Sequence, residues 1–575
     1  MSARGLLLKC LAALMGLIVM GWVLPFGAVH TQERSAQQPQ PGDQADLRIE
    51  IERLGDSLSV RWVFAQERES FAFSGFEAER RSRLADWLAR GPGWEFDGSS
   101  IRREDGAAFS EFSARIYPTT TLRFPGYVTA ARIGESGWVI HTGALASQRN
   151  LNFVVDIVDL GPGETLLTDD GHHERQERPL DRRTFAYFGP TSMVSSDGIT
   201  VIKSNSDEVQ QLYDRFEHQL IFAYGRLVDR LGRPASQAPT VSLSFAPEQE
   251  RRGIKGSVDG QFIGLNVVGY GADAFTAIVD HDLLVLTTHE VFHLWNGREG
   301  HRGGSRTVGW ISEGGAEYVG ALLGLPDEAL GEGLALRINR CLVAVGTRSL
   351  TQSQSALQGR VPYSCGTLAM MFVDAGVRQA DAGDVLTVWN SVFADKSAAD
   401  SDLEFSFLRA VAEHGGALTL IPLADLLDGW SAADTPAFEA FLDGAGVQLR
   451  PFQPGSPERQ DLNLSLNVLR AVLGHACPSG LRIEFRNERF VLHESSTCEP
   501  GLAASFDIVS LDGISITDQP MAAFERVRLH CQTEDSFTVE GPGPNEALSF
   551  ACGPGLRQHP GLFQIDSLGQ LADRF

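Results

Sequence analysis

The chain has 575 residues, enough for three or four domains that each bury a core of their own. Its 43% hydrophobic and 21% charged content is ordinary for a globular protein. A formal net charge of −24, with no local basic patch, argues against a nucleic-acid partner, and the acidity reads as a solubility feature.

The N-terminus carries Arg4 and Lys9, followed by an uncharged, mostly apolar run from Cys10 to Val29. This predicts an export segment over residues 1–30 and places the protein in the periplasm or the secreted fraction. Pro25 interrupts the run, and Phe26 lies three residues before the end of a cut after Ala28, a poor cleavage site. Two readings stand: a cleaved signal peptide, or an uncleaved membrane anchor through residues 10–29. No second stretch approaches membrane-spanning length. Residues 31–45 are polar and rich in Pro and Gln, a flexible linker.

From Leu47 apolar residues alternate. Leu47, Ile49 and Ile51 share one face, and Leu58, Val60, Trp62 and Phe64 repeat the period of two. Short runs such as Trp138–Ile140 and Phe153–Val155 continue the pattern, which predicts an all-β domain over 46–195, a sandwich with a short helix near Arg80. At Ser206 the period becomes helical: Leu212, Phe216, Leu220, Ala223, Leu227 and Leu231 form one stripe, closed by Gly232. Strands are expected over Thr240–Phe245 and Gln261–Val268. Helices are expected over Asp282–Asn296, Ser312–Leu323, Asp327–Val345 and Pro362–Val377, within a domain spanning 196–450. Residues 451–461 have a linker's composition, and 462–575 alternate as a small β domain with a turn at Asp512-Gly513.

Six cysteines lie outside the export segment: Cys341, Cys365, Cys477, Cys498, Cys531 and Cys552. An even number in an exported chain predicts disulfides. Pairing of neighbours gives three loops of similar length, one of about fifteen possible connectivities.

The chemistry concentrates at His289-Glu290-Val291-Phe292-His293. On a helix the two imidazoles lie one turn apart on one face and can grip a zinc ion, and Glu290 lies beside them. Nineteen residues separate His293 from Glu313, the candidate third ligand, in Trp310-Ile311-Ser312-Glu313-Gly314. Glu317, one turn later, either hydrogen-bonds the far nitrogen of a ligand histidine or is a solvated carboxylate. His301, in the loop between the two motifs, reads as a surface histidine.

These residues, with Leu294-Trp295-Asn296 and Gly309, resemble the glycyl aminopeptidase family of zinc metallopeptidases, thermolysin-like gluzincins related to aminopeptidase N. The resemblance implies a multidomain fold: an N-terminal all-β sandwich, a thermolysin-like α+β catalytic domain, and a C-terminal PDZ-like or small β module. It implies one zinc ion held by His289, His293 and Glu313, with Glu290 as general base on its water. Tyr363, in Tyr363-Ser364-Cys365-Gly366, matches the tyrosine that stabilises the oxyanion; Cys365 stands where the related pattern has lysine. The strand carrying Gly264 and Asn266 is expected to run along the cleft as an edge and pair with substrate backbone. Gly253–Val258 takes the place of the family's glutamate-bearing strand yet holds no carboxylate, which leaves exopeptidase and endopeptidase action as open alternatives. The expected activity is peptide-bond hydrolysis on peptides or proteins; the alternative is a peptidase-like scaffold that binds peptides with weak or lost catalysis.

Overall fold

A computed structural model describes residues 45–573, apart from short internal stretches of which the longest are 271–281, 297–308 and 351–360. The export segment, nearly all of the first linker, Ser206 and His301 lie outside the described residues. Among the described residues, those up to Asn296 form one compact unit and those from Gly309 another.

The first unit begins with two five-stranded sheets. In one, Leu47–Leu54 pairs antiparallel with Ser57–Arg68, so Leu47, Ile49 and Ile51 stand opposite Phe64, Trp62 and Val60. All six are buried, as the period-two pattern requires. Their faces meet Trp138, Ile140, Leu166, Ala186 and Phe188 of the other sheet in a single apolar core, which makes the pair a sandwich. Trp62 stacks on Phe112 with ring centres 4.5 Å apart, and its indole N–H donates to the Leu145 carbonyl. The helix expected near Arg80 is present at Glu77–Asp86.

The outer face of the second sandwich sheet is apolar too. Val139, Leu167, Phe185 and Tyr187 pack against Ile202 and Phe262 of a further sheet. That sheet contains β1 (Thr240–Ala246), β2 (Gly253–Asp259) and β3 (Phe262–Val268), in the order β1-β3-β2. β3 runs parallel to β1 and antiparallel to β2, which leaves β2 at the edge. Helix α1 (Gln210–Leu231) carries the predicted stripe: Phe216, Leu220, Ala223 and Leu227 are fully buried. It stops at Gly232, whose φ of 71° suits glycine and whose N–H closes on the Val228 carbonyl. Helix α2 (Leu284–Asn296) packs against α1 and β2.

The second unit is mostly helical at its start: α3 (Gly309–Gly324), α4 (Asp327–Val345) and α5 (Val361–Gln379), then Val385–Ala394, Leu403–Asp428 and Thr435–Gly444. Leu403–Asp428 is long and apolar enough to cross a membrane by length and composition, which the sequence reading did not anticipate. It is two helices joined at Gly416 (φ 61°), and Phe407, Val411 and Leu423 are fully buried. The C-terminal region holds a helix, Leu462–Leu473, a three-stranded and a four-stranded sheet, and a second helix, Pro520–Thr533. Asp512-Gly513 forms the predicted hairpin turn with φ of 45° and 81°. The three disulfides join sequence neighbours, Cys341–Cys365, Cys477–Cys498 and Cys531–Cys552.

Residues 451–461 are less of a linker than their composition suggests. Pro451 ends a strand paired with Phe563–Ser567, Phe452 N–H donates to the Leu562 carbonyl, and Asp461 caps the helix that follows.

Candidate metal centre

Helix α2 forms because Leu283, Val291, Phe292, Leu294 and Trp295 supply a wide apolar surface, all of it buried. Polar contacts fix its rotation. Gln219 of α1 donates to the Thr288 hydroxyl at 3.1 Å, and the Trp295 indole donates to the Gly232 carbonyl at 2.9 Å. Both ends of the helix are therefore tied to α1, with His289, Glu290 and His293 between the ties.

His289 and Glu290 are buried, at 2% and 5% exposure, and His293 is half-buried. The two imidazoles meet edge to face with their Nε2 atoms 3.0 Å apart. His293 Nδ1 lies 2.7 Å from Asn296 Oδ1, an atom that only accepts, so Nδ1 carries the proton and Nε2 keeps its lone pair. Two nitrogen ligands on a tetrahedral zinc ion, with bonds of ~2.0–2.1 Å, stand roughly 3.3 Å apart. The facing pair fits that donor geometry. Sequence reasoning placed Asn296 only at the end of the helix; its position three residues after His293, on the same face, was the available signal.

Glu290 faces β2. A Cβ built on Gly256 would come within 2.4 Å of both Glu290 Cγ and Oε1, so the glycine is the space that the carboxylate occupies. Across the strand's far end, Asp259 is engaged with His141 Nε2 at 3.0 Å. The chain thus brings an edge strand without a carboxylate at 253–258 against Glu290 of the candidate metal-binding motif.

The structure corrects the expectation for Gly264 and Asn266. Their strand, β3, lies inside the sheet, with β1 bonded on one side and β2 on the other. Gly264 faces the Phe185 ring, and the buried Asn266 side chain accepts from the Ser244 hydroxyl at 2.6 Å. Backbone already used on both sides cannot receive another strand. The edge is β2.

In the second unit, α3 carries Glu313 and Glu317, and α5 carries Tyr363 in its first turn; all three are half-buried. Glu317 Oε1 accepts from Arg337 Nε of α4 at 2.7 Å. Gly315 lies against the Trp389 ring, and Gly314 against Gly366. Thr367 donates to the Tyr363 carbonyl at 2.9 Å. Among the described residues, the two candidate histidine ligands lie on α2 and the candidate glutamate ligand, Glu313, on α3.

No known protein family and no curated protein matches the sequence. Solved structures do match. An aminopeptidase N family protein from Idiomarina loihiensis is 12% identical with a TM-score of 0.50, over 92% of this chain and 99% of that one. An M1 zinc metallopeptidase from Deinococcus radiodurans, solved with a Tyr-Ser-Ala substrate, is 14% identical with a TM-score of 0.36, over 67% of this chain and 93% of that one. The first likeness extends over nearly the whole of both chains and shows a shared fold. The β-rich N-terminal region and the helical region of the fold expected from the resemblance are both present.

Proposed function

We propose that this chain is an exported zinc metallopeptidase, with His289, His293 and Glu313 as the protein ligands of one zinc ion. The observation that carries the reading is the pair of Nε2 atoms facing each other at 3.0 Å beside the buried Glu290. A zinc ion held there supplies Lewis acidity, which brings the pKa of a water toward neutrality and polarises the scissile carbonyl. Glu290 takes the proton of the attacking water and returns it to the leaving amine. The Tyr363 hydroxyl donates to the developing oxyanion. Asn296 holds His293 in the ligating tautomer, and the role proposed for Glu317 is with Nδ1 of His289. Extended substrate pairs with the edge of β2, which takes over the part expected of Gly264 and Asn266. The three disulfides support a site of action outside the reducing cytoplasm.

Metal analysis together with cleavage profiling on a peptide library tests this. Wild-type protein is expected to carry one equivalent of zinc and to cleave. Glu290→Gln keeps the zinc and loses roughly 10²–10⁴-fold in kcat. Protein prepared without chelators that holds no stoichiometric metal sinks the reading, and zinc without cleavage by the wild type points to a peptide-binding scaffold. Cleavage of amino-terminally blocked peptides separates endopeptidase action from strict aminopeptidase action.

A further inference from the structure

Helices α3, α4 and α5 are joined to one another in three different ways, close to Glu313 and Tyr363. The first is backbone contact. A Cβ on Gly314 would lie 2.2 Å from Gly366 Cα, and a Cβ on Gly366 would lie 2.2 Å from the Trp310 carbonyl oxygen. The α3–α5 crossing therefore falls immediately after Glu313 and three residues after Tyr363. The second is covalent: Cys365 of α5 is bonded to Cys341 of α4. The third is ionic, from Arg337 of α4 to Glu317 of α3, with both side chains largely buried. Arg337 and Cys341 are one turn apart, so a single face of α4 holds both neighbours.

The two halves of α5 are held differently. Its C-terminal half is fixed by a buried network in which the Asp374 carboxylate accepts from Tyr318 at 2.8 Å, Arg378 at 2.9 Å and the Val385 N–H at 3.0 Å. That network lies eleven residues beyond Tyr363, about 16 Å along the axis. The first turn of a helix lacks the intrahelical bonds of its leading N–H groups and opens more readily than the middle. Tyr363 is the third residue of α5, and the cross-link lies two residues after it.

We infer that the Cys341–Cys365 disulfide is a positioning element for Tyr363: it fixes the first turn of α5 and so sets the tyrosine hydroxyl in place relative to Glu313. Cysteine at 365, where the related pattern has lysine, is here a structural tie that the tyrosine depends on. The inference rests on the peptidase reading for its catalytic consequence and on the helix geometry alone for its structural one.

The test uses the full chain with both cysteines replaced, C341A/C365A, because a reductant also attacks the other two disulfides. Should that variant not fold, C341V/C365A refills the lost volume and takes its place. Hydrogen exchange is expected to rise by about tenfold or more at the amides of residues 365–367, the first that bond back into the turn, while exchange in α3 and the zinc content stay as in the wild type. kcat is expected to fall by about tenfold or more with KM within about twofold, as for a displaced transition-state contact. In a Tyr363→Phe background, removing the disulfide is expected to change kcat by less than about twofold. Unchanged exchange over 365–367, or an equal loss of kcat with and without the tyrosine hydroxyl, overturns the inference. A wild type that binds no zinc and cleaves nothing removes the peptidase reading, and the exchange measurement then decides whether the disulfide orders the turn.

Discussion

Gly256 and Glu290 stand 34 positions apart in the sequence, yet the side chain of one fills the space left by the other. Gly256→Ala places a methyl group where the carboxylate lies. The helix is tied to α1 at both ends, so Glu290 moves rather than the backbone. The expected result is a fall of about 10–100-fold in kcat with zinc content and thermal midpoint close to wild type, checked by steady-state kinetics, metal analysis and a thermal melt. Unaltered kcat in that variant means that Glu290 is not held where the base is needed. The metal-binding candidates were legible because their spacing is a property of a single helix turn. The Gly256 requirement was not, since it depends on which strand packs beneath the helix. The error over Gly264 and Asn266 had a readable cure: Phe262-Ile263-Gly264-Leu265-Asn266-Val267-Val268 is nearly continuous apolar sequence, the mark of an interior strand. Gly253-Ile254-Lys255-Gly256-Ser257 is mixed and carries a lysine, as edges do.

At the scale of elements, α3 and α5 cross where neither has a side chain. Gly366→Ala drives a Cβ into the Trp310 carbonyl and Gly314 Cα, both of them backbone and unable to rotate away. A loss of roughly 3 kcal/mol or more is expected from urea denaturation, and a midpoint equal to wild type would show that the helices can part without cost. Helix positions came out of the sequence well, because apolar period and length mark α1 to α5 without tertiary information. The pairing of helices did not, since Gly314 and Gly366 look alike whether they face solvent or each other. The run Asp507–Leu511 shows the same limit among strands. It alternates as one strand, but Phe506–Ile508 and Ser510–Leu511 belong to different sheets, with the break at Val509.

At the scale of the whole molecule, the C-terminal region is docked on α4 and not merely tethered. Asn339 of α4 bonds both the N–H and the carbonyl of Phe563, in the manner of a neighbouring strand. Arg340 pairs with Asp461, and the buried His559 donates from Nε2 to the Leu342 carbonyl while Nδ1 accepts from Gly561 N–H. Burial pushes the His559 pKa down to about 4. The unfolded chain takes up that proton near pH 6.5 and the folded one does not, so the stabilisation is complete above about 6.5 and is lost as pH falls toward 4. On metal-stripped protein, where pH no longer acts through zinc binding, the urea midpoint is expected to drop between pH 7 and pH 4.5. The full window is worth roughly 3 kcal/mol. His559→Gln is expected to flatten the slope, and an equal slope in that variant would assign it to other groups.

The strand Phe563–Ser567 closes on Gln448–Pro451, across more than a hundred residues. A polypeptide delivered N-terminus first therefore has α3, α4 and α5 in hand long before the segment that covers α4 has emerged. Until His559 and Phe563 arrive, the Leu342 carbonyl and the Asn339 amide lack the partners that fold this face shut. Pairing at such long sequence separation is slow to form. The helix that grips Glu317 and Cys365 is covered last, so its final packing becomes a property of the finished chain and not of the nascent one.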